Sequence, residues 1–334
     1  MTTGAELESH FVASSMDSES PDDTEVASKS PTQIARARFR KDKLSMFSLV
    51  IVLFYFVAAL AAPFLVHFGV LDPFTTHDEL LDVNTLPAGS WGGISWDHPL
   101  GVEPGIGRDA MSRVWYGITF SLAMSLSATL IAVVIGVVLG IVSGASGGWV
   151  DAIIGRAIDL TLAFPQTLML LALSSVAIAF ITEVLNVPSG DPAAAFYVIV
   201  VLGLFGWTGV ARIVRGQVLS LREREFVYAS QLMGASKFRL YFKEILPNLW
   251  APILVTFTLI MPAFVSAEAA LAYLGVSIAP PTPTLGNVLS DSLSYADVAF
   301  IYFFVPAFLI ALIVVSFNLL GDGVRDALDP KGHR

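Results

Sequence analysis

Six nearly uncharged apolar runs, each about as long as a bilayer is thick, alternate along this chain with stretches that hold its charge. A crossing helix needs roughly 20 apolar residues. Runs at residues 44–66, 120–142, 158–182, 193–210, 249–274 and 298–320 satisfy that requirement and predict six transmembrane helices. The second sits inside an uncharged stretch, 114–150. Pro252 and Pro262 interrupt the fifth, which is tolerated where neighbouring helices re-satisfy the freed carbonyls.

Orientation follows from Lys and Arg, which accumulate on the cytoplasmic side. Arg36, Arg38, Arg40, Lys41 and Lys43 crowd the start of the first run and place the N-terminal end inside. Six crossings return the C-terminal end to the same side. The assignment then puts Arg156, Arg212, Arg215, Arg222, Arg224, Lys237, Arg239, Lys243, Arg325, Lys331 and Arg334 inside as well, with only Arg108 and Arg113 outside. The expected fold is therefore an all-α polytopic membrane protein, N-in and C-in. Its expected divisions are a disordered polar and acidic tail (1–34), a basic flank with the first span (35–66), an extracytoplasmic loop (67–117) and a core transmembrane domain (118–334).

Composition agrees. Charged residues make up 14% of the 334 and hydrophobic ones 55%, with a mean hydropathy of +0.71, against about 25% charged in soluble domains. The formal charge of −9 says little about partners, because much of the acid lies in the first 25 residues and the outer loops. The absence of cysteine excludes disulfides, thiolate metal sites and a cysteine nucleophile. The five histidines show no metal-ligand spacing, and nothing points to nucleic acid.

One inner segment, 222–247, breaks the apolar monotony. Phe226, Ala229 and Met233 recur at helical spacing after the charged run 222–225. Gly234 is placed to end that helix in the left-handed region, and Ser236 to cap a second. The second carries Phe238, Tyr241, Phe242 and Ile245 at i, i+3, i+4 and i+7, and Leu246-Pro247 closes it. Two uses are open to such a segment: a helix resting among lipid headgroups, or a handle held by another protein. Swinging a two-state protein from 1:99 to 99:1 takes about 5.5 kcal/mol. Exposed ion pairs at about 0–1 kcal/mol each do not supply that, whereas roughly 250 Å² of apolar burial at about 25 cal/mol per Å² does. A handle must therefore be inserted into its partner.

Other positions carry a plain reading beside a functional one. Gly136, Gly140 and Gly144 form a small-residue strip suited to close helix packing. Glu268 is an acid within a span and hence a candidate for the translocation path. Asp151 and Asp159 flank Arg156 and are expected to salt-bridge locally. Arg108 and Arg113 either stabilise the outer loop or make outer contacts with a binding protein or second subunit. Trp91 and Trp96 suit interface anchors.

Three stretches carry a family resemblance. Tyr228-Ala229-Ser230, then Gly234, then Glu244-Ile245-Leu246-Pro247 resembles the E-A-A-x3-G-x9-I-x-L-P signature of binding-protein-dependent ABC importer permeases, with Tyr228, Ser230 and Glu244 departing from it. His98-Pro99-Leu100-Gly101, Gly107-Arg108-Asp109, Ser112-Arg113 and Tyr116-Gly117 are similar to the outer-loop signature of the C-type subunit of the dipeptide/oligopeptide/nickel group. Phe317-Asn318-Leu319-Leu320-Gly321-Asp322-Gly323 with Arg325-Asp326 and Leu328-Asp329-Pro330 resembles its tail. The resemblance implies a type I importer permease fold in which 222–247 is the coupling segment. Phe226, Ala229, Met233, Gly234, Leu246 and Pro247 would then meet the ATPase. Implied partners are a homologous second permease, two cytoplasmic ATPase subunits or one fused ATPase, an extracytoplasmic binding protein, the lipid membrane of a prokaryotic cell and a peptide substrate. No G-x-x-x-x-G-K-[ST] phosphate loop is present, so no cofactor is expected in this chain, and ATP and Mg²⁺ are expected on the partner. The alternative is a gradient-driven secondary transporter using Glu268; an intramembrane enzyme ranks behind both.

Overall fold

The computed structural model describes residues 30–89 and 91–328; positions 1–29, Asp329-Pro330, Lys331 and Arg334 lie outside the described residues. Helix α1 (Pro31–Lys41) opens at Ser30, whose side chain accepts from the Gln33 amide while Gln33 reaches back to the Ser30 amide. Residues 31–34 are therefore helical, a correction to the expected tail, because a capping box and Pro31 start the helix ahead of the basic flank. Asp42 breaks the chain direction and caps α2 (Lys43–His67), accepting from the Leu44 amide at 3.0 Å.

The second span, α3, runs from Ala110 to Ser146, far beyond the expected 120–142. Its 37 residues extend about 55 Å at 1.5 Å per residue, against roughly 30 Å of hydrocarbon. Hydropathy sees only the greasy middle. The expected outer loop consequently ends at Asp109, which caps α3 by accepting from the Ser112 amide at 2.6 Å.

A second boundary shifts at Pro165. The preceding residue is biased away from helix, and Phe164 is extended (φ −94°, ψ 136°). The expected third span divides into α4 (Gly148–Ala163), which lies before the crossing, and α5 (Gln166–Glu183), which crosses. There follow α6 (Asp191–Leu221), α7 (Glu225–Leu232), α8 (Trp250–Tyr273), α9 (Leu285–Leu293) and α10 (Phe300–Leu328). Six of these helices are long and apolar enough to cross a membrane.

The bundle is centred on α3 and α6. A Cβ at Gly136 would lie 2.5 Å from Val210 Cβ, one at Gly140 2.8 Å from Val214 Cβ and one at Gly144 2.8 Å from Val218 Cβ. Glycines one turn apart on α3 thus receive valines one turn apart on α6, a backbone approach that any side chain would prevent. A second core joins α2, α3, α8 and α10 around Tyr55, Leu122, Met261 and Phe317, where the Tyr55 hydroxyl donates to the Leu309 carbonyl at 3.0 Å.

Candidate functional site

Residues 222–249 form an elbow at the end of the bundle where α1 begins and α10 ends. Helix α7 stops at Gly234, whose φ of +80° confirms the left-handed turn, and Ser236 caps the next run by accepting from the Arg239 amide at 3.3 Å. That run begins as Lys237–Arg239, widens into a π-helical segment, Leu240–Ile245, and closes in a 3-10 turn, Leu246–Asn248. Widening separates the four aromatic and aliphatic positions expected on one face. Tyr241 and Ile245 turn into the bundle, while Phe238 stays outside with its ring 4.9 Å from Phe242.

The elbow has a buried root and a bare tip. Val227, Ile245 and Leu249 are fully buried against Val137, Ile141, Val214 and Val218. The Tyr241 and Ser146 hydroxyls meet at 3.0 Å, and Arg222 donates to the Gly144 carbonyl at 3.2 Å, closing the end of α3. At the tip, Leu232 is 89% exposed, Met233 78% and Phe238 69%. Of the residues expected to meet a partner, Phe226, Ala229, Met233 and Gly234 are exposed, Pro247 is exposed and Leu246 is half-buried. The inward positions of α7 are Val227 and Ser230, which sequence spacing did not single out. Ser230 Oγ lies 3.4 Å from Glu244 Oε1, and Arg239 stands 3.8 Å from the same carboxylate. Two of the three departures from the signature are thus each other's partner.

Across the bundle, the outer loop folds into a lobe over the ends of the helices. Arg108 and Arg113 do not face outward, a correction to their candidacy as outer contacts. Arg108 grips Glu103 with two bonds, 2.5 and 2.9 Å, and both side chains are buried. Arg113, at 0% exposure, lies 3.4 Å from Glu103 and 3.8 Å from Asp291 and donates to the Pro281 carbonyl at 3.1 Å. Its Nη1 alone is hydrogen-bonded, to Pro281, whereas Nε and Nη2, like Asp291 Oδ2, make no hydrogen bond among the described residues, so the two carboxylates hold this buried guanidinium by charge. Asp291 is in turn pushed above the usual carboxylate range by burial and by the nearby Glu103 charge, with Arg113 and Arg108 opposing. His98 Nδ1 sits 2.9 Å from Asp109 Oδ1, and a Cβ at Gly101 would fall 2.0 Å from the Gly92 carbonyl oxygen. The outer signature builds this lobe.

Glu268, on α8, is fully buried. It accepts from Ser121 of α3 and from Ser277, each at 2.9 Å. Ser121 Oγ also accepts from the Leu285 amide at the start of α9 at 3.0 Å, so the carboxylate stands at the positive end of that helix. Asp151 pairs with Arg215 at 2.6 and 2.7 Å and Asp159 with Arg212 at 3.2 Å, so α4 is bridged to α6 and not locally to Arg156.

Six long apolar helices define a multi-pass membrane protein. Residues 136–333 match the binding-protein-dependent transport system inner membrane component and residues 30–84 the N-terminal transmembrane domain of oligopeptide transport permease C; the chain belongs to this family of permeases. It is 38% identical to the dipeptide transport system permease protein DppC of Bacillus subtilis, over 97% of this chain and 93% of that one. It is 37% identical to the oligopeptide transport system permease protein OppC of the same organism (89% and 88%) and 33% identical to OppC of Mycobacterium tuberculosis (92% and 96%). An inward-facing structure of the MetNI methionine ABC transporter shares the fold, with a TM-score of 0.52 at 18% identity over 66% of this chain and 97% of that one. The family works as a component of ATP-driven importers, which sets aside the gradient-driven alternative built on Glu268.

Proposed function

We propose that the chain is the C-type permease subunit of an importer of dipeptides or oligopeptides, as the names of its relatives suggest. It forms half of the pathway beside a homologous permease. A binding protein presents substrate from outside, and ATP with Mg²⁺ is bound and hydrolysed by two cytoplasmic ATPase subunits or one fused ATPase. This chain is the non-catalytic partner.

The observation that carries the reading is the contrast within the elbow: Val227 and Ile245 at 0% exposure and Leu232 at 89%. The root makes the elbow one body with α3 and α6. The tip offers the apolar surface that an ATPase groove would bury, and burying about 250 Å² of it is worth roughly 6 kcal/mol, enough to drive a two-state swing.

The native chain lacks cysteine, so single cysteines report cleanly. Met233→Cys should form a disulfide with a cysteine in the ATPase groove of the assembled complex. Leu232→Asp or Gly234→Val should abolish ATP-driven uptake of a labelled dipeptide while the complex remains in the membrane. Parental uptake in Leu232→Asp overturns the handle. Uptake of another solute with the handle intact overturns only the peptide assignment.

A further inference from the structure

A groove of about 250 Å³ opens at the inner end of the bundle, far larger than the roughly 30 Å³ of a water molecule. Helix α1 forms one wall with Thr32, Ala35, Arg36 and Phe39, spaced i, i+3, i+4 and i+7 and so on a single face. The opposite wall pairs residues one turn apart on two spans, Trp250 with Leu254 on α8 and Val324 with Leu328 on α10. Arg36 is the one charged residue in the lining.

These walls are the first turn of one span and the last turn of another, so the groove lies at headgroup depth. Its surroundings in the chain are cationic. Arg36 lines it, Arg40 follows one turn on along α1, the same stretch carries Arg38, Lys41 and Lys43 against Asp42, and the end of α10 adds Arg325 between Asp322 and Asp326, a balance of six cations to three acids. Asp42 is occupied as the cap of α2. Among the described residues Arg36, Arg40, Lys41 and Lys43 form no ion pair. An apolar slot under unpaired guanidinium and ammonium groups fits a molecule with a hydrocarbon chain and an anionic head.

We propose that this groove is a binding site for an anionic phospholipid of the inner leaflet, with an acyl chain against Phe39, Trp250 and Leu254 and the phosphate at Arg36 and Arg40. A lipid held there would join α1 to the root of α8, directly after the elbow.

The test uses the full-length chain reconstituted in phosphatidylcholine vesicles with trace spin-labelled phosphatidylglycerol or spin-labelled phosphatidylcholine, reading the immobilised fraction of each. Parental protein should prefer phosphatidylglycerol several-fold. Arg36→Gln and Arg40→Gln should each lower that preference, by up to about fivefold, and Ala35→Trp, which fills the slot and keeps the charges, should abolish it. An unchanged preference in Arg36→Gln/Arg40→Gln overturns the site. A preference that survives Ala35→Trp shows lipid coating a basic surface and overturns the groove.

Discussion

Ser230 and Glu244 face each other across the elbow, Oγ to Oε1 at 3.4 Å, where the signature they depart from would place an alanine and an isoleucine. An apolar contact has been exchanged for a polar one, and the two substitutions make sense only together. Glu244→Ile alone should cost about 1 kcal/mol by leaving the buried Ser230 hydroxyl without its partner. Ser230→Ala/Glu244→Ile should recover most of it. A double-mutant cycle on the thermal unfolding of the purified complex reads the coupling; additive losses would show that the pair is incidental.

Glu268 should tolerate Gln and not Leu. The Ser121 and Ser277 hydroxyls donate to different carboxylate oxygens; glutamine keeps an oxygen for one and offers its NH2 to the other hydroxyl oxygen, whereas leucine strands both at about 1–3 kcal/mol for each buried group left unpaired. Uptake assays with detergent-melting of the same variants distinguish this from ion carriage, which Glu268→Gln would abolish outright.

Removing Arg113 should be among the costliest single changes. Arg113→Ala leaves Glu103 and Asp291 facing each other without the buried cation between them, a loss on the order of 3–5 kcal/mol. Arg113→Lys should rescue little, since one ammonium cannot span Glu103, Asp291 and the Pro281 carbonyl. Limited proteolysis of the outer lobe checks this: cleavage between α2 and α3 should accelerate in both variants.

At Gly140 the obstacle is backbone as well as side chain. An added Cβ meets the Ala211 carbonyl oxygen and Val214 Cβ, both at 2.8 Å. Gly140→Ala should destabilise by about 1–3 kcal/mol, and Val214→Ala in the same chain should restore only part, because the carbonyl remains. Melting temperatures of the three variants give the answer.

The Asp151–Arg215 pair predicts an acid dependence. The Arg215 hydrogen bonds, helped by Ser143 and opposed by burial, lower the Asp151 carboxyl to about 2 from an ordinary 3.8. A depressed carboxylate stabilises the fold above its unfolded value and loses that contribution as pH falls through the folded one. Asp151→Asn should therefore cost at most about 2 kcal/mol near neutrality, less what solvent screening removes. The gap from the parent should close between roughly pH 4 and pH 2. A constant gap across that range would mean the charge is not what matters.

Much of this protein is legible one residue at a time. Desolvation acts on each side chain separately, so runs of apolar residues determined six crossings, and Lys and Arg determined which ends face inward. The left-handed turn at Gly234 and the cap at Ser236 were equally local, set by which residues tolerate that backbone. Three features were not local. The true length of α3 depends on Asp109 capping a helix whose first turn carries Ser112 and Arg113, and the division of the third run depends on Pro165 acting where hydropathy is blind. The fates of Arg108, Arg113 and Glu268 were decided by partners as much as 178 residues away, the separation between Arg113 and Asp291. A charge in a sequence carries no mark of whether it will be solvated or paired; only the packing that removes its water decides that, and here the packing turned both outer arginines and the lone span acid inward.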